Sequence, residues 1–332
     1  MQNEVNIPNN MLCCPLESFD RLFFSLVDYH NTFFTSNDPE KIIEFYNHFK
    51  TRDELIKWMK ERPKGALHIH EVEGNKNIIV VIPTADYNGK YAKECRENIF
   101  KGLHIIFVES GKGNFYFNYA HNCNVGIKRA MEYNPKWVVI SNDDVYKIDE
   151  ITVLLRELQI LDPTSTDVVL ALSSIYHSSP GFLGSPNFAY KVAITIRGTI
   201  WRKIYHIMKK FNSQIYFTFA DNRLLSHFLY IKHQEVIVIG HFTILSGKYV
   251  IDKKGDIFDE TYINSFEDVD LSLKFYNSGR FAFIDFKIGH FIGSTLRRNK
   301  ERHLRNIASA SYFNYKIESG KLNLKPNFTK IK

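Results

Sequence analysis

Four short apolar runs constrain this chain most: IIVVI (78–82), LHIIFV (103–108), WVVI (137–140) and VVLAL (168–172). Strands covered on both faces read as continuous hydrophobic runs, whereas a strand with one wet face alternates. Segments of helical period separate the runs. Tyr119, Cys123, Ile127, Ala130 and Met131 share one helical face, and Ile151, Leu154, Leu155 and Leu158 share another behind Asp149, which stands at the N-cap position. Short buried strands alternating with helices predict an α/β fold with a mainly parallel, Rossmann-like central sheet flanked by helices. Ligands of such sheets lie outside the carboxyl ends of the strands.

The flanks read differently. Residues 17–62 carry a helical pattern: Asp38-Pro39-Glu40 offers an N-cap with proline in the first turn, and Thr51-Arg52-Asp53-Glu54 is a capping box. Arg62-Pro63-Lys64-Gly65 breaks it, after which His68 and His70 alternate as on a surface strand. Residues 173–235 are aromatic and irregular, with HSSPGFLGSPNF (177–188) a loop signal. VIVIGHFTIL (236–245) reads as a strand. Ser265 is placed to cap a helix with Phe266, Val269, Leu273 and Tyr276 as its stripe and Gly279 as its stop. A last strand, 281–288, delivers His290. The expected division is an N-terminal helical extension (1–75), an α/β domain (76–294, in halves 76–172 and 173–294), and a basic C-terminal helix and tail (295–332).

With 332 residues, 44% hydrophobic and 24% charged, the chain can bury a sizeable core. No apolar run approaches the roughly 20 residues needed to span a bilayer, and Met1 to Pro15 lacks the basic start and apolar centre of a signal peptide. A cytoplasmic protein is expected. Cys13, Cys14, Cys95 and Cys123 show neither zinc-ligand spacing nor a disulfide framework, so any metal must use oxygen or imidazole ligands. The formal net charge is +7, yet residues 295–332 alone hold ten Lys or Arg against two Glu, a net of +8. Such a tail suits a phosphate-bearing ligand, an anionic membrane surface or nucleic acid, and equally a solvated surface.

The run 137–140 leads into Asn142-Asp143-Asp144. Two adjacent carboxylates repel unless a cation or strong donors offset them. Mg²⁺ or Mn²⁺ takes carboxylate oxygens and keeps open positions for phosphates. Glu267, Asp268 and Asp270 open a helix, where the macrodipole favours negative charge by about 0.3–1 kcal/mol each. Asp270 has Lys274 as an i, i+4 partner, which leaves Glu267 or Asp268 to accept a proton from an attacking hydroxyl. His290 alone reads as a hydrogen-bonded structural residue; beside a carboxylate-bound metal it becomes a third ligand. GKGNFY (111–116) lacks the third glycine of a dinucleotide fingerprint, and no Gly-Lys pair is followed by Ser or Thr as a phosphate loop requires.

The order of these features resembles the family-2 glycosyltransferases of the GT-A fold. It runs through Pro83-Thr84, Asn124-Val125-Gly126, Asn142-Asp143-Asp144, Phe258-Asp259-Glu260, Glu267-Asp268-Val269-Asp270-Leu271 and His290 with Gly293-Ser294, over about residues 77 to 296. The resemblance implies metal-dependent transfer, with inversion, of a sugar from a UDP-, GDP- or dTDP-sugar to an acceptor hydroxyl. It makes 76–172 the nucleotide-sugar half and 173–294 the acceptor half. Asp144 and His290 would bind Mn²⁺ or Mg²⁺, with Asp143 beside the ribose and diphosphate. Asp268 would be the base, and Glu267 would contact the acceptor or orient Asp268. Pro83, Thr84, Glu109 and Ser110 would face the base and ribose, Asp86 would replace a missing acid, and Asn124 and Gly126 would approach the nucleotide. PTADYN stretches the family's Pro-Thr-Tyr-Asn, and Glu109-Ser110-Gly111 replaces an Asp-rich turn.

The resemblance leaves the acceptor open among a glycan, a lipid-linked sugar and a protein. Arg297, Arg298, Lys300 and Arg302 would reach the donor's diphosphate or an anionic membrane bearing a lipid-linked acceptor. Two other readings compete: a nucleotidyltransferase on a similar sheet, and a non-catalytic carbohydrate or nucleic-acid binding protein that uses the basic tail. Nucleic acid is the least favoured partner.

Overall fold

The structure is a computed structural model describing residues 33–114, 116–174, 176–178, 180–181, 199–213, 217–218, 236–238, 240–291 and 300–323. Two helices come first, α1 (Pro39–Asn47) and α2 (Arg52–Glu61). The alternating strands and helices then begin with β1 (His68–Val72), β2 (Asn75–Thr84), α3 (Lys90–Glu94) running into a π turn (Cys95–Ile99), β3 (Leu103–Glu109), α4 (Tyr119–Met131), β4 (Trp137–Ser141), β5 (Val145–Lys147), α5 (Ile151–Gln159) and β6 (Val168–Ala171). Short pieces follow: β7 (Tyr176–Ser178), β8 (Pro180–Gly181), α6 (Thr199–Lys210), β9 (Phe217–Thr218) and β10 (Val236–Val238). The chain closes with β11 (Phe242–Ser246), α7 (Gly247–Asp252), α8 (Glu267–Ser278), β12 (Phe281–Ile284), β13 (Ile288–His290) and α9 (Lys300–Glu318). Within the N-terminal extension assigned to 1–75, His68 and His70 lie on a strand, as their alternation suggests, at the edge of the sheet.

Seven strands form one sheet in the order β1-β3-β2-β4-β11-β6-β12. β3, β2, β4, β6 and β12 point one way; β1 at the edge and β11 inside the sheet point the other. The sheet is therefore mixed but mainly parallel, with helices on both faces. The single strand expected over 236–245 is broken at Gly240-His241. There the backbone passes so close to Ser174 that a Cβ on Gly240 would lie 1.8 Å from its carbonyl oxygen.

Alternate residues of β2 serve opposite faces. Ile78, Val80 and Ile82 pack with Ala92, Cys95, Leu154 and Leu158, while Ile79 and Val81 pack with Cys123, Ile127, Ala130 and Leu271. Covering both faces explains the unbroken apolar runs. α4 comes closest at Gly126, where a Cβ would sit 2.4 Å from Val81 Cγ1 and 2.9 Å from Val108 Cγ2. Gly126 thus lets helix meet sheet, the close backbone approach that a glycine inside a helix suggests. Overpacking costs about 1–3 kcal/mol, more than the roughly 1 kcal/mol of helix propensity an alanine adds. Gly126→Ala should therefore lower the urea midpoint without changing the slope.

A third core joins α1 and α2 to the far end of the chain. Phe45, Tyr46, Trp58 and Met59 pack with Phe211, Leu304, Ile307 and Phe313, and the Tyr46 hydroxyl donates to the Leu304 carbonyl at 2.6 Å. Asp38 caps α1, its Oδ1 accepting from Glu40 N at 2.9 Å, with Pro39 in the first turn. Thr51 caps α2, but Glu54 reaches back to the Lys50 N–H rather than closing a box on Thr51. α9 is no solvated tail: Leu304, Ala308, Ser311, Phe313 and Lys316 are buried. Arg297 and Arg298, and the side chains of Lys300 and Arg302, lie outside the described residues, as do Cys13 and Cys14, Gly293-Ser294 and residues 17–32. Cys95 and Cys123 are buried free thiols.

Two caps differ from expectation. α5 is capped by Glu150 with no side-chain bond, because Asp149 instead accepts from Lys287 N at 2.8 Å and ties the approach to β13. α8 is capped not by Ser265 but by Phe266 in the left-handed region (φ 72°), and Gly279 (φ 68°) ends it as expected. A left-handed phenylalanine is costly, and such strain clusters at ligand-binding turns. Among the described residues no helix is long and apolar enough to cross a membrane.

Candidate functional site

The carboxyl ends of β2, β3 and β4 bring together Thr84, Glu109 and the Asn142-Asp143-Asp144 turn. The Thr84 hydroxyl donates to Asp143 Oδ2 at 2.7 Å and accepts from Asp86 N at 3.2 Å. Asp86 pairs with Lys112 at 2.5 Å. Glu109 Oε1 accepts from Tyr87 N at 3.0 Å, and its Oε2 lies 2.7 Å from His70 Nε2. The Tyr87 amide, with His70, holds the Glu109 carboxyl below its usual range. The His70 ring in turn stacks on Tyr87, centroids 4.1 Å apart and 7° from parallel. Ser110 stitches β3 to β2, its N–H donating to the Thr84 carbonyl at 3.0 Å.

The second half supplies the histidine. β13 pairs antiparallel with β5, setting His290 opposite Val145. His290 Nε2 thereby comes to 2.9 Å from Asp144 Oδ1, and the Phe291 N–H donates to the Asp144 carbonyl at 2.9 Å. Asp144 is only 6% exposed. The His290–Asp144 contact is a hydrogen bond, and because two ligand atoms about 2.1 Å from one octahedral ion also stand about 3 Å apart, the same two side chains could hold a divalent cation. Asp143 faces Thr84 instead, and burial, reinforced by the Asp144 charge, pushes its carboxyl up to about 6. The adjacent acids therefore divide: Asp144 with His290, Asp143 with the β2 end.

Two residues that sequence reasoning left aside complete the surroundings. His241, at the break before β11, stacks on His290 with centroids 4.6 Å apart and 15° from parallel. Burial and the neighbouring His290 push its ring down to about 4. The Tyr119 hydroxyl donates to Asn142 Oδ1 at 3.2 Å, while its N–H donates to Asn264 Oδ1 at 2.9 Å. Burial pushes the Tyr119 hydroxyl far up, and the charges of Glu267 and Asp268 add to the shift. Tyr119 thus lies between the acidic turn and the start of α8. No local pattern marked either residue, since His241 sits inside an apolar run and Tyr119 looks like a core position.

At the start of α8, Asp268 Oδ1 accepts from Val269 N at 2.8 Å. Glu267 is 8% exposed; burial pushes the Arg62 guanidinium down to about 10, against the charges of Glu267 and Glu260. Asp270 pairs with Lys274 at 2.6 Å as expected and also with Lys316.

Other expected contacts serve inside the protein. Asn124 donates to the Phe258 carbonyl and to Glu260 Oε1, and its Oδ1 accepts from Ile257 N and Phe258 N, so its carboxamide braces the 257–260 loop. Pro83 is buried in the β2–β3 ladder, opposite Val108. Among the described residues, the trio of His and acidic donors lying within 4.8 Å of one another is Glu71, Glu73 and His104, at the opposite end of β3. Arg129 and Tyr133 already bind Glu71 at 2.5 and 2.6 Å, and Lys76 meets Glu73 at 3.1 Å. That set is a charge-compensated network.

No family model and no curated protein matches this chain.

Proposed function

We propose that the chain is a divalent-cation-dependent glycosyltransferase that moves a sugar from a nucleotide-sugar donor to an acceptor hydroxyl. One observation carries the reading: Asp144 and His290, 146 positions apart, converge at 2.9 Å where the central strand β4 ends. Their order along the chain, with the intervening Glu267-Asp268 turn, is that of the GT-A family-2 enzymes that the sequence resembles.

Asp144 and His290 would hold Mn²⁺ or Mg²⁺, which when bound offsets the negative charge of the diphosphate. Thr84 and Asp143 form a hydroxyl–carboxylate pair at the adjacent strand ends, suited to ribose hydroxyls. Asp268 takes the proton of the acceptor hydroxyl as that oxygen attacks the anomeric carbon and the nucleoside diphosphate leaves, which inverts the centre. Glu267, beside it, contacts the acceptor or orients Asp268.

The test is release of nucleoside diphosphate from a panel of UDP-, GDP- and dTDP-sugars, with Mn²⁺ and candidate acceptors. Asp268→Asn should lose transfer by about 10²–10⁴-fold, the usual worth of a positioned base, with donor affinity within a few-fold of wild type. Full transfer by Asp268→Asn would remove that residue from the base role. Pyrophosphate release from a nucleoside triphosphate and a sugar phosphate would favour the nucleotidyltransferase reading instead.

A further inference from the structure

His241 is held at two points, and each joins it to a different part of the Asp144–His290 pair. Its carbonyl accepts from Asn142 N at 2.9 Å, two residues before Asp144. Its ring lies over His290 itself, 4.6 Å between centroids and 15° from parallel. Nε2 of His241 is buried and meets no hydrogen-bond partner among the described residues. Beneath it, Gly240 has no room for a Cβ against Ser174, which pins the backbone that carries the ring.

From this geometry, and resting on the cation reading above, we infer that His241 is a positioning residue: its ring sets the plane of His290 and aims Nε2 at Asp144, and so sets the affinity of the pair for a divalent cation. His241 touches neither Asp144 nor an acceptor in this role. It acts through His290, as outer-shell groups act on metal-binding imidazoles.

Mn²⁺ titration of the full chain, followed by the loss of free-ion electron paramagnetic resonance signal, tests this. Loss of an outer-shell partner typically weakens a metal site 10–100-fold, and His241→Ala should raise the Mn²⁺ dissociation constant by at least about tenfold. His241→Phe keeps a flat ring over His290 and should recover most of that loss, which a merely destabilised fold would not explain. Equal Mn²⁺ affinity in wild type and His241→Ala, or no recovery in His241→Phe, overturns the proposal while the cation site stands. Absence of Mn²⁺ binding by wild type, or binding unaffected by Asp144→Ala, overturns the cation site and this role with it.

Discussion

Asp144→Ala is expected to lower kcat/KM for transfer by at least about 10³-fold, about 4 kcal/mol of transition-state stabilisation, with the fold intact. Asp144 is one of two donors in the proposed cation pair, and its removal leaves His290 alone. Stability should move the other way or hold. Burial and the Asp144 charge push the Asp143 carboxyl up to about 6 in the folded chain. Removing that neighbouring charge lets Asp143 ionise more easily, which offsets the lost bond to His290. A residue kept for function at some cost to stability shows this pattern. Steady-state release of nucleoside diphosphate and urea unfolding at pH 7, measured on the same preparation, check both halves. Near-normal turnover in Asp144→Ala would remove Asp144 from the centre of the site.

The largest effect on stability is expected from Lys316→Met. Lys316 is 6% exposed and reaches from α9 to Asp259 at 2.8 Å and to Asp270. The hydroxyls of Tyr312 and Tyr262 donate to the same two acids at 2.9 and 3.0 Å. Breaking a buried pair from one side costs about 3–5 kcal/mol because it strands the remaining charge, and here one ammonium serves two carboxylates. Asp270 lies two residues beyond Asp268, so the loss also loosens the turn carrying the proposed base.

The pH dependence has a definite sign. Burial alone would raise the Asp259 carboxyl, but Lys316 holds it down to about 2. A depressed carboxyl contributes stability that is present above about pH 4 and lost as pH falls from about 4 to about 2. The gap between wild type and Lys316→Met in urea midpoint should therefore be widest at neutral pH and narrow through that window. A constant gap across it would mean that the lysine acts by packing alone.

Much of the fold was legible because it rests on local rules. The four apolar runs became β2, β3, β4 and β6, and the Tyr119–Met131 period became α4 with those bounds. Long-range pairing was not legible. Nothing in VIVIGHFTIL shows that its second half inserts antiparallel between β4 and β6, since an apolar run suits either direction. Caps failed where tertiary contacts outbid them: Asp149 is drawn to the Lys287 amide, and the α8 start is set by the strained Phe266.

At the candidate site, the acids and His290 stood out in the sequence because adjacent carboxylates repel unless something offsets them, and the structure brings Asp144 and His290 together. Asn124 and Gly126 read two ways, because a polar residue and a glycine inside a helix are used by the fold as well as by ligands, and the structure shows the fold's use of both. His241 matters through its stacking on His290, 49 positions away, and no spacing in the sequence encodes that contact.

The most direct measurement is thermal unfolding of the wild-type chain with a panel of nucleoside diphosphates, in Mn²⁺ and in chelator. A ligand at about 100 times its dissociation constant adds about 2.7 kcal/mol, a rise of several degrees for a chain of this size. The cation-dependent glycosyltransferase assignment predicts that rise for one nucleobase in Mn²⁺, with little in chelator and none in Asp144→Ala. No shift with any nucleoside diphosphate in Mn²⁺, or an equal shift in Asp144→Ala, would contradict it.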